Sequence, residues 1–338
     1  MSLRGRKNKP GHITFVGSGP GDPGLLTTRA RTVLANAALV FTDPDVPDAV
    51  LALVGCELPP PSGPLPEVTD QAARATTDDA GLADDAKAAD VPDAVAVIPG
   101  GPDVRPALGD PAEVAKTLAT EARTGVDVVR LVAGDPLSID AVITEVNALA
   151  RTQLSFEIVP GLPDTTAVPT YAGLPLGSAH TVADVRGDVD WAALAAAPGP
   201  LILHATASHL PDAARTLIEY GLSDNTPTVV TAHGTTCQQR SVETTLAGLL
   251  DKATLAGTDP AGPLAGPLVV TIGRPVAHRA KLNWWESRAL YGWTVLVPRT
   301  KDQAGEMSDR LVGHGALPIE VPTIAVEPPR SPAQMERA

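Results

Sequence analysis

The chain has 338 residues, 43% hydrophobic but only 3% aromatic, with 34 prolines, 30 glycines and a net charge of −13. That length accommodates two or three domains with a large core, and apolar content dominated by Ala, Val and Leu reads as a turn-rich α/β protein. The acidic balance argues against binding nucleic acid or an acidic membrane surface, so an anionic substrate needs a local cluster of cations. Cys56 and Cys237 make neither a metal pattern nor a disulfide framework, which leaves no metal expected and a cytoplasmic location as the plain reading. The basic leader, residues 1–10, enters Pro10 with no apolar segment behind it, so it does not read as a signal peptide. No apolar run is long enough to span a bilayer.

In chain order, Ile13–Val16 reads as a strand that enters a turn with three glycines, Gly17-Ser18-Gly19-Pro20-Gly21-Asp22-Pro23. Pro20 offers no N–H and no Lys-Ser/Thr pair follows, which argues against a nucleotide-phosphate loop. Thr28–Asn36 reads as a helix and Ala38–Phe41 as a strand ending at Thr42-Asp43-Pro44. Residues 59–93, rich in Pro, Ala and Asp, read as a flexible insertion. A strand is expected at Val95–Ile98, and a helix at Asp110–Arg123 with Asp110 as cap and Glu113 placed for a capping box. Val128–Val132 reads as a strand ending at Ala133-Gly134-Asp135-Pro136, then a helix at Ile139–Ala150 and a strand at Phe156–Val159 before Pro160-Gly161. This alternation predicts a largely parallel sheet, with the glycine turns after Val16, Val132 and Val159 on one edge.

A second α/β lobe is expected from about Pro200. It has strands at Leu201–His204, Thr228–Thr231 and Leu268–Ile272, and a helix at Ala207–Tyr220 closed by Gly221. Ala280–Leu290 reads as a charged helix carrying Trp284 and Trp285. A strand from Gly292 to Arg299, a helix at Gln303–His314 and a strand at Ile319–Val321 then begin a further α/β unit.

Four ordered signatures resemble those of the tetrapyrrole methylases. They are Gly17–Thr27, Val128–Pro136, Val159-Pro160-Gly161 with Pro169–Leu176, and Gly234–Arg240, with Lys281–Trp285 like the usual end of the domain. The motifs are most similar to the uroporphyrinogen-III C-methyltransferase subfamily, and Trp293–Thr300 with Glu320–Ile324 resembles the start of uroporphyrinogen-III synthase. The resemblance implies a two-lobed fold, lobes about 11–166 and 167–280, with the cofactor cleft between them. A linker helix at 281–291 and the start of a second domain at 292–338 would follow.

It also implies an S-adenosylmethionine site, with S-adenosylhomocysteine as product, on Pro20, Ala133, Gly134, Asp135, Thr165 and Gly234. Asp43 matches a proposed acid–base aspartate, although an Asp before Pro is also a common turn former. Arg130 and Arg240 are candidates for binding uroporphyrinogen III, and either is equally suited to a structural ion pair. A homodimer is the family's common state. The chain departs from the subfamily at several places. Gly101-Pro102-Asp103 replaces a Gly-Lys-Arg stretch, with Arg105 a shifted substitute, and Leu137-Ser138-Ile139-Asp140 replaces an aromatic, Gly-Arg-Gly and Glu-Glu run. Pro163-Asp164 stands for Thr-Ala, and His204-Ala205-Thr206 for Tyr-Met-Gly. Three readings follow: a methyltransferase fused to the synthase that makes its substrate, a synthase whose methylase-like part senses cofactor or acts as scaffold, and a dinucleotide oxidoreductase. Pro20 and the lack of an acidic residue at the dinucleotide spacing disfavour the third.

Overall fold

A computed structural model describes residues 9–56, 101–251, 263–298 and 301–321, the last with side chains from 305. The first lobe is one five-stranded parallel sheet in the order β3-β2-β4-β1-β5. Its strands are β1 (Ile13–Gly17), β2 (Leu39–Thr42), β3 (Asp103–Pro106), β4 (Val128–Val132) and β5 (Phe156–Val159). Central strands buried on both faces read as continuous apolar runs, as β1 and β2 do. Ile13, Phe15, Leu39 and Phe41 pack under α3 (Pro111–Arg123) and α4 (Asp140–Ala150), while Val16 and Val40 pack on the other face beneath α1 (Thr28–Ala35). A short α2 (Asp48–Leu51) follows β2.

The expected strand Val95–Ile98 and the insertion at 59–93 lie outside the described residues. The strand beside β2 is Asp103–Pro106, at an edge that tolerates Pro106 because a proline there forfeits no interior ladder bond. Arg105 on that edge is held by Asp103 at 2.5 Å and Glu121 at 2.7 Å. Asp110 caps α3 through the Ala112 N–H at 2.8 Å, but Glu113 turns to Lys116 at 3.4 Å, so the reciprocal half of the capping box is not made.

α5 (Asp164–Tyr171) leads into the second lobe, a mixed sheet in the order β6-β7-β10-β8-β9. It comprises β6 (Thr181–Asp184), β7 (Leu201–Ala205), β8 (Pro227–Ala232), β9 (Arg240–Thr245) and β10 (Leu268–Ile272). Only β6 and β7 run parallel; β10 pairs antiparallel with both β7 and β8, and β8 with β9. Its core lies under α6 (Trp191–Ala195) and α7 (Leu210–Glu219), with Leu210, Ala214 and Leu217 buried against Leu203, Val230 and Val270.

The predicted helix over Ala280–Leu290 is cut to a single turn, α8 (Arg279–Leu282). Asn283 leaves the helical region with ψ 79°, its side chain accepts from the Glu286 N–H at 3.2 Å, and Trp284 and Trp285 pack on Tyr171. Tertiary packing of the tryptophans overrides the local helical preference. A βαβ unit closes the described chain: β11 (Thr294–Val297), α9 (Lys301–Gly313) and β12 (Leu317–Glu320), with the strands parallel. Among the described residues no helix is long and apolar enough to cross a membrane.

Candidate functional site

The carboxyl ends of β4, β1 and β5 are adjacent, with Gly17 opposite Val132 and Val16 opposite Val159. Their three turns touch there, as the alternation predicts. A Cβ on Gly17 would come within 2.5 Å of both the Gly134 carbonyl oxygen and the Gly161 nitrogen, and one on Gly161 within 2.1 Å of that oxygen. Only glycine fits at either place, because the obstacles are backbone atoms that cannot rotate aside. Gly19 and Gly134 exchange backbone hydrogen bonds at 3.2 Å in each direction, an isolated antiparallel bridge between the first two signatures. Gly134 itself has φ +77°, and a Cβ there would meet nothing within 4 Å. The result is a wall of backbone with open space above Gly134.

Polar side chains fix this wall from behind. Asp135 caps no helix with its side chain; its Oδ1 accepts the Gly161 N–H at 3.1 Å and joins the second signature to the third. Asp43 Oδ2 accepts the Ala133 N–H at 3.2 Å, so that donor is already engaged. Asp43 Oδ1 lies 2.6 Å from Arg130 Nη2, and Arg130 also forks onto Glu145 through Nε and Nη2, both at 2.9 Å. Burial works against the Arg130 charge, but the hydrogen bonds to Glu145 and the Asp43 carboxylate outweigh it and raise its pKa above the ordinary arginine value. Arg130 is 3% exposed. Its candidacy as a substrate contact is therefore corrected: the guanidinium is locked inside the sheet as an ion-pair hub, where losing a partner is far costlier than in water.

The second lobe meets the wall through the fourth signature. The Asp22 N–H donates to Thr235 Oγ1 at 3.0 Å, and the Thr235 N–H donates to Gln239 Oε1 at 2.8 Å. Thr235 is fully buried with φ +66°, a strained backbone for a β-branched residue, held by these bonds. Gly21 faces the Gly234 carbonyl, and a Cβ on Gly234 would strike Val168 of α5 at 2.3 Å. The Tyr171 hydroxyl donates to Asp22 Oδ2 at 3.1 Å; burial, then the Asp22 charge, push its pKa up to about 12. Thr165 is buried, with its N–H on Asp164 Oδ1 at 2.7 Å, and that same oxygen accepts from His204 Nε2 at 2.6 Å. His204 Nδ1 is buried with no partner among the described residues, at a position where the resemblance places a residue against the cofactor.

Between the lobes lies a cavity of 370 Å³ lined by Asp45 after β2, Arg186 after β6, Thr206 and Ser208 after β7, and Leu264–Pro267 before β10. Arg186 forks onto Asp184, with Nη2 at 2.6 Å, and its pKa is raised first by that bond and further by the charges of Asp45 and Asp164. Arg186 carries no local signal in the sequence, because β6 is a short, half-buried strand without a clear pattern. Arg240 opens β9 and lines a different cavity. Gly134 and Asp135 thus meet the first and third signatures at the strand ends, and Gly234 faces Gly21 across the lobe junction. None of Pro20, Ala133, Gly134, Asp135, Thr165, Gly234, Arg130 and Arg240 lines the interlobe cavity itself.

A two-lobed α/β chain with glycine turns meeting at adjacent strand ends defines a class, and comparison with known proteins says which. The model of the Tetrapyrrole (Corrin/Porphyrin) Methylases matches residues 12–250, and the chain belongs to this family. Among curated relatives, a siroheme synthase of Edwardsiella ictaluri is 29% identical over 82% of this chain and 53% of its own length. A uroporphyrinogen-III C-methyltransferase of Bacillus subtilis is 27% identical over 93% of this chain and 58% of its own. The chain thus spans about half the length of the curated relatives it matches. Uroporphyrin-III C-methyl transferase of Thermus thermophilus, solved with S-adenyl homocysteine, shares the fold at TM-score 0.57 and 22% identity, over 79% of this chain and 99% of that one. The cobalt precorrin-4 methyltransferase structure gives TM-score 0.56 at 21% identity, over 78% of this chain and 94% of that one.

Proposed function

We propose that this chain is an S-adenosylmethionine-dependent C-methyltransferase acting on uroporphyrinogen III to give precorrin-2. The observation that carries the reading is the backbone wall: Gly17, Gly134 and Gly161 pressed together at three strand ends, with open space at Gly134. An adenosine and an amino-acid carboxylate need backbone donors and acceptors at close approach, which a glycine wall supplies and bulky side chains would block. The residues fit the cofactor on a second count, since the buried, unpartnered His204 Nδ1 supplies a polar group wanting a partner. In this reading Pro20, the Ala133 carbonyl, Gly134, Asp135, Thr165 and Gly234 hold the cofactor. Bound there, S-adenosylmethionine supplies an electrophilic methyl on a sulfonium.

The chain's own work is positional. Methyl transfer to an already nucleophilic pyrrole carbon is an in-line displacement, so holding the reactants in line and dry is the main requirement. The interlobe bonds Asp22–Thr235 and Tyr171–Asp22 keep the two walls in register. Asp43, beside the wall and partly exposed, is the acid–base candidate: the methylated β-carbon becomes quaternary, and Asp43 would take the proton that the cationic macrocycle then releases from another position; Arg130 fixes its carboxylate. In this reading the chain works as a homodimer in the cytoplasm.

A second reading is favoured by the cavity's charge. Asp45 and Asp164 surround Arg186, which Asp184 already holds, and this suits an octacarboxylate poorly. Here the methylase part binds cofactor as sensor or scaffold in a protein with uroporphyrinogen-III synthase activity. The parallel βαβ unit from β11 to β12 supports reading the residues from Gly292 as the start of that synthase domain. Incubating the chain with S-adenosylmethionine and enzymatically generated uroporphyrinogen III decides between them. Mono- and dimethylated product by mass spectrometry supports the first; tight cofactor binding without product supports the second.

A further inference from the structure

We propose that Glu286, in the segment after α8, is a positioning residue for the cofactor, acting on the fourth signature through Gln239. The inference rests on the cofactor reading above, in which Gly234 is a contact. It adds a residue beyond the stretch that the family model matches, residues 12–250.

The turn around Gly234 needs outside support to keep its shape. His233 and Thr235, on either side of it, have φ +49° and +66°, left-handed values that a β-branched threonine adopts only where its surroundings impose them. Thr235 is fully buried, so its N–H needs an acceptor inside the protein, and Gln239 Oε1 at 2.8 Å is one. A glutamine can present either its oxygen or its amide nitrogen at that place, and only the oxygen serves. Glu286 selects it. Its carboxylate, paired with Arg279, has only acceptors to offer; Gln239 Nε2 donates to Glu286 Oε1 at 2.9 Å, which leaves Gln239 Oε1 facing Thr235. The Ser241 hydroxyl donates to the same Glu286 oxygen at 2.6 Å. Gln239 is buried and the Glu286 side chain nearly so, so little water competes for these bonds.

Glu286 is itself held in place. Asn283 Oδ1 accepts its N–H at 3.2 Å, and Arg279 also donates through Nη1 to the Ala172 carbonyl after α5, at 3.1 Å. The neighbouring Trp285 donates through Nε1 to the Thr236 carbonyl at 2.9 Å and packs on Tyr171, whose hydroxyl reaches Asp22. One short segment, residues 279–286, thereby braces the fourth signature directly and the first through Tyr171.

The direction of donation along this chain of bonds makes the role testable. Gln239→Glu sets two carboxylates face to face. Glu286→Gln forces a donor against a donor, either at Arg279 or at Thr235. The double variant, with acid and amide exchanged, satisfies the bonds again: the carboxylate at 239 accepts from Thr235 and from the amide at 286, whose oxygen faces Arg279. The Ser241 hydroxyl then accepts from that amide and donates to Thr231 Oγ1, 3.0 Å away.

Calorimetry of S-adenosylhomocysteine binding to the whole chain compares the parent, both single variants and the exchanged pair. The expected result is binding about tenfold weaker in each single variant, recovered to within about threefold of the parent in the exchanged pair. Single variants that bind like the parent, even with lowered melting temperatures, reduce Glu286 to a stability role and overturn the proposal. So does an exchanged pair that binds no better than the single variants. Should the single variants not fold, folding and parent-like binding of the exchanged pair is the expected result, and its failure in either respect overturns the proposal. Hydrogen exchange of the Thr235 amide, followed without cofactor, separates this failure from that of the cofactor reading. It speeds up in each single variant and slows again in the exchanged pair; unaltered exchange overturns the brace itself. A parent that shows this exchange pattern but binds no S-adenosylhomocysteine overturns the cofactor reading, and the role of Glu286 toward the cofactor with it.

Discussion

In the first lobe the cleft wall is backbone. Gly17, Gly134 and Gly161 sit on adjacent strands of a parallel sheet, and their peptide groups touch with no side chain between them. In the second lobe the wall is side chain. Thr235 is braced by Gln239, Gln239 by Glu286 and Glu286 by Arg279, across residues up to 47 apart in sequence. A backbone wall demands particular residue types at fixed short spacing. A side-chain wall asks only for polar groups that meet in space, and many sequences satisfy that.

This contrast explains what was legible. The parallel sheet and the meeting of the turns after Val16, Val132 and Val159 followed from local patterns of apolar runs, glycine and proline, whereas Pro20, Gly134, Asp135 and Gly234 were grouped as a site only by the family resemblance. The mixed order of the second sheet did not, because β10 inserts between β7 and β8 and nothing local in Leu268–Ile272 announces an antiparallel partner. Arg130 shows the same limit. As a lone cation in a signature it resembled a substrate contact, and only the meeting with Glu145 from α4 and Asp43 after β2 reveals its buried role. Tyr171 escaped notice for the same reason, since its partner Asp22 lies on another element, while Arg186 pairs with Asp184 two residues away and only the fold brings it to the cavity beside Asp45.

The largest effect is expected where the backbone wall depends on one buried charge. Arg130→Met leaves Glu145 buried without its counter-ion and lowers stability by about 3–5 kcal/mol in denaturant unfolding. The double variant with Glu145→Met recovers most of that loss, whereas a purely local role for Arg130 predicts no recovery.

Next comes the backbone wall itself. Gly17→Ala drives a methyl into two backbone atoms at 2.5 Å and costs about 3 kcal/mol. Gly134→Ala meets open space and costs only the left-handed conformation, about 1–2 kcal/mol. Equal losses in a melting experiment would contradict the packing described for these turns.

The smallest effect belongs to the interlobe link. Tyr171→Phe removes one hydrogen bond to Asp22, worth about 1 kcal/mol. Its pH signature is sharper. With a folded pKa of about 12 against the ordinary 10.0 of a tyrosine, Tyr171 stabilises the fold fully below pH 10.0, and this contribution fades as pH rises toward 12. The parent chain therefore loses more stability than Tyr171→Phe over that interval. Parallel losses would place the phenol outside this link.

The central claim is that the glycine wall holds the cofactor, and calorimetry of S-adenosylhomocysteine binding to the parent chain and to Gly134→Ala tests it most directly. The account predicts one site in the parent and binding weaker by about tenfold or more in the folded variant, whose added methyl occupies the open space. Absence of binding to the parent, or equal affinity in the variant, would contradict it.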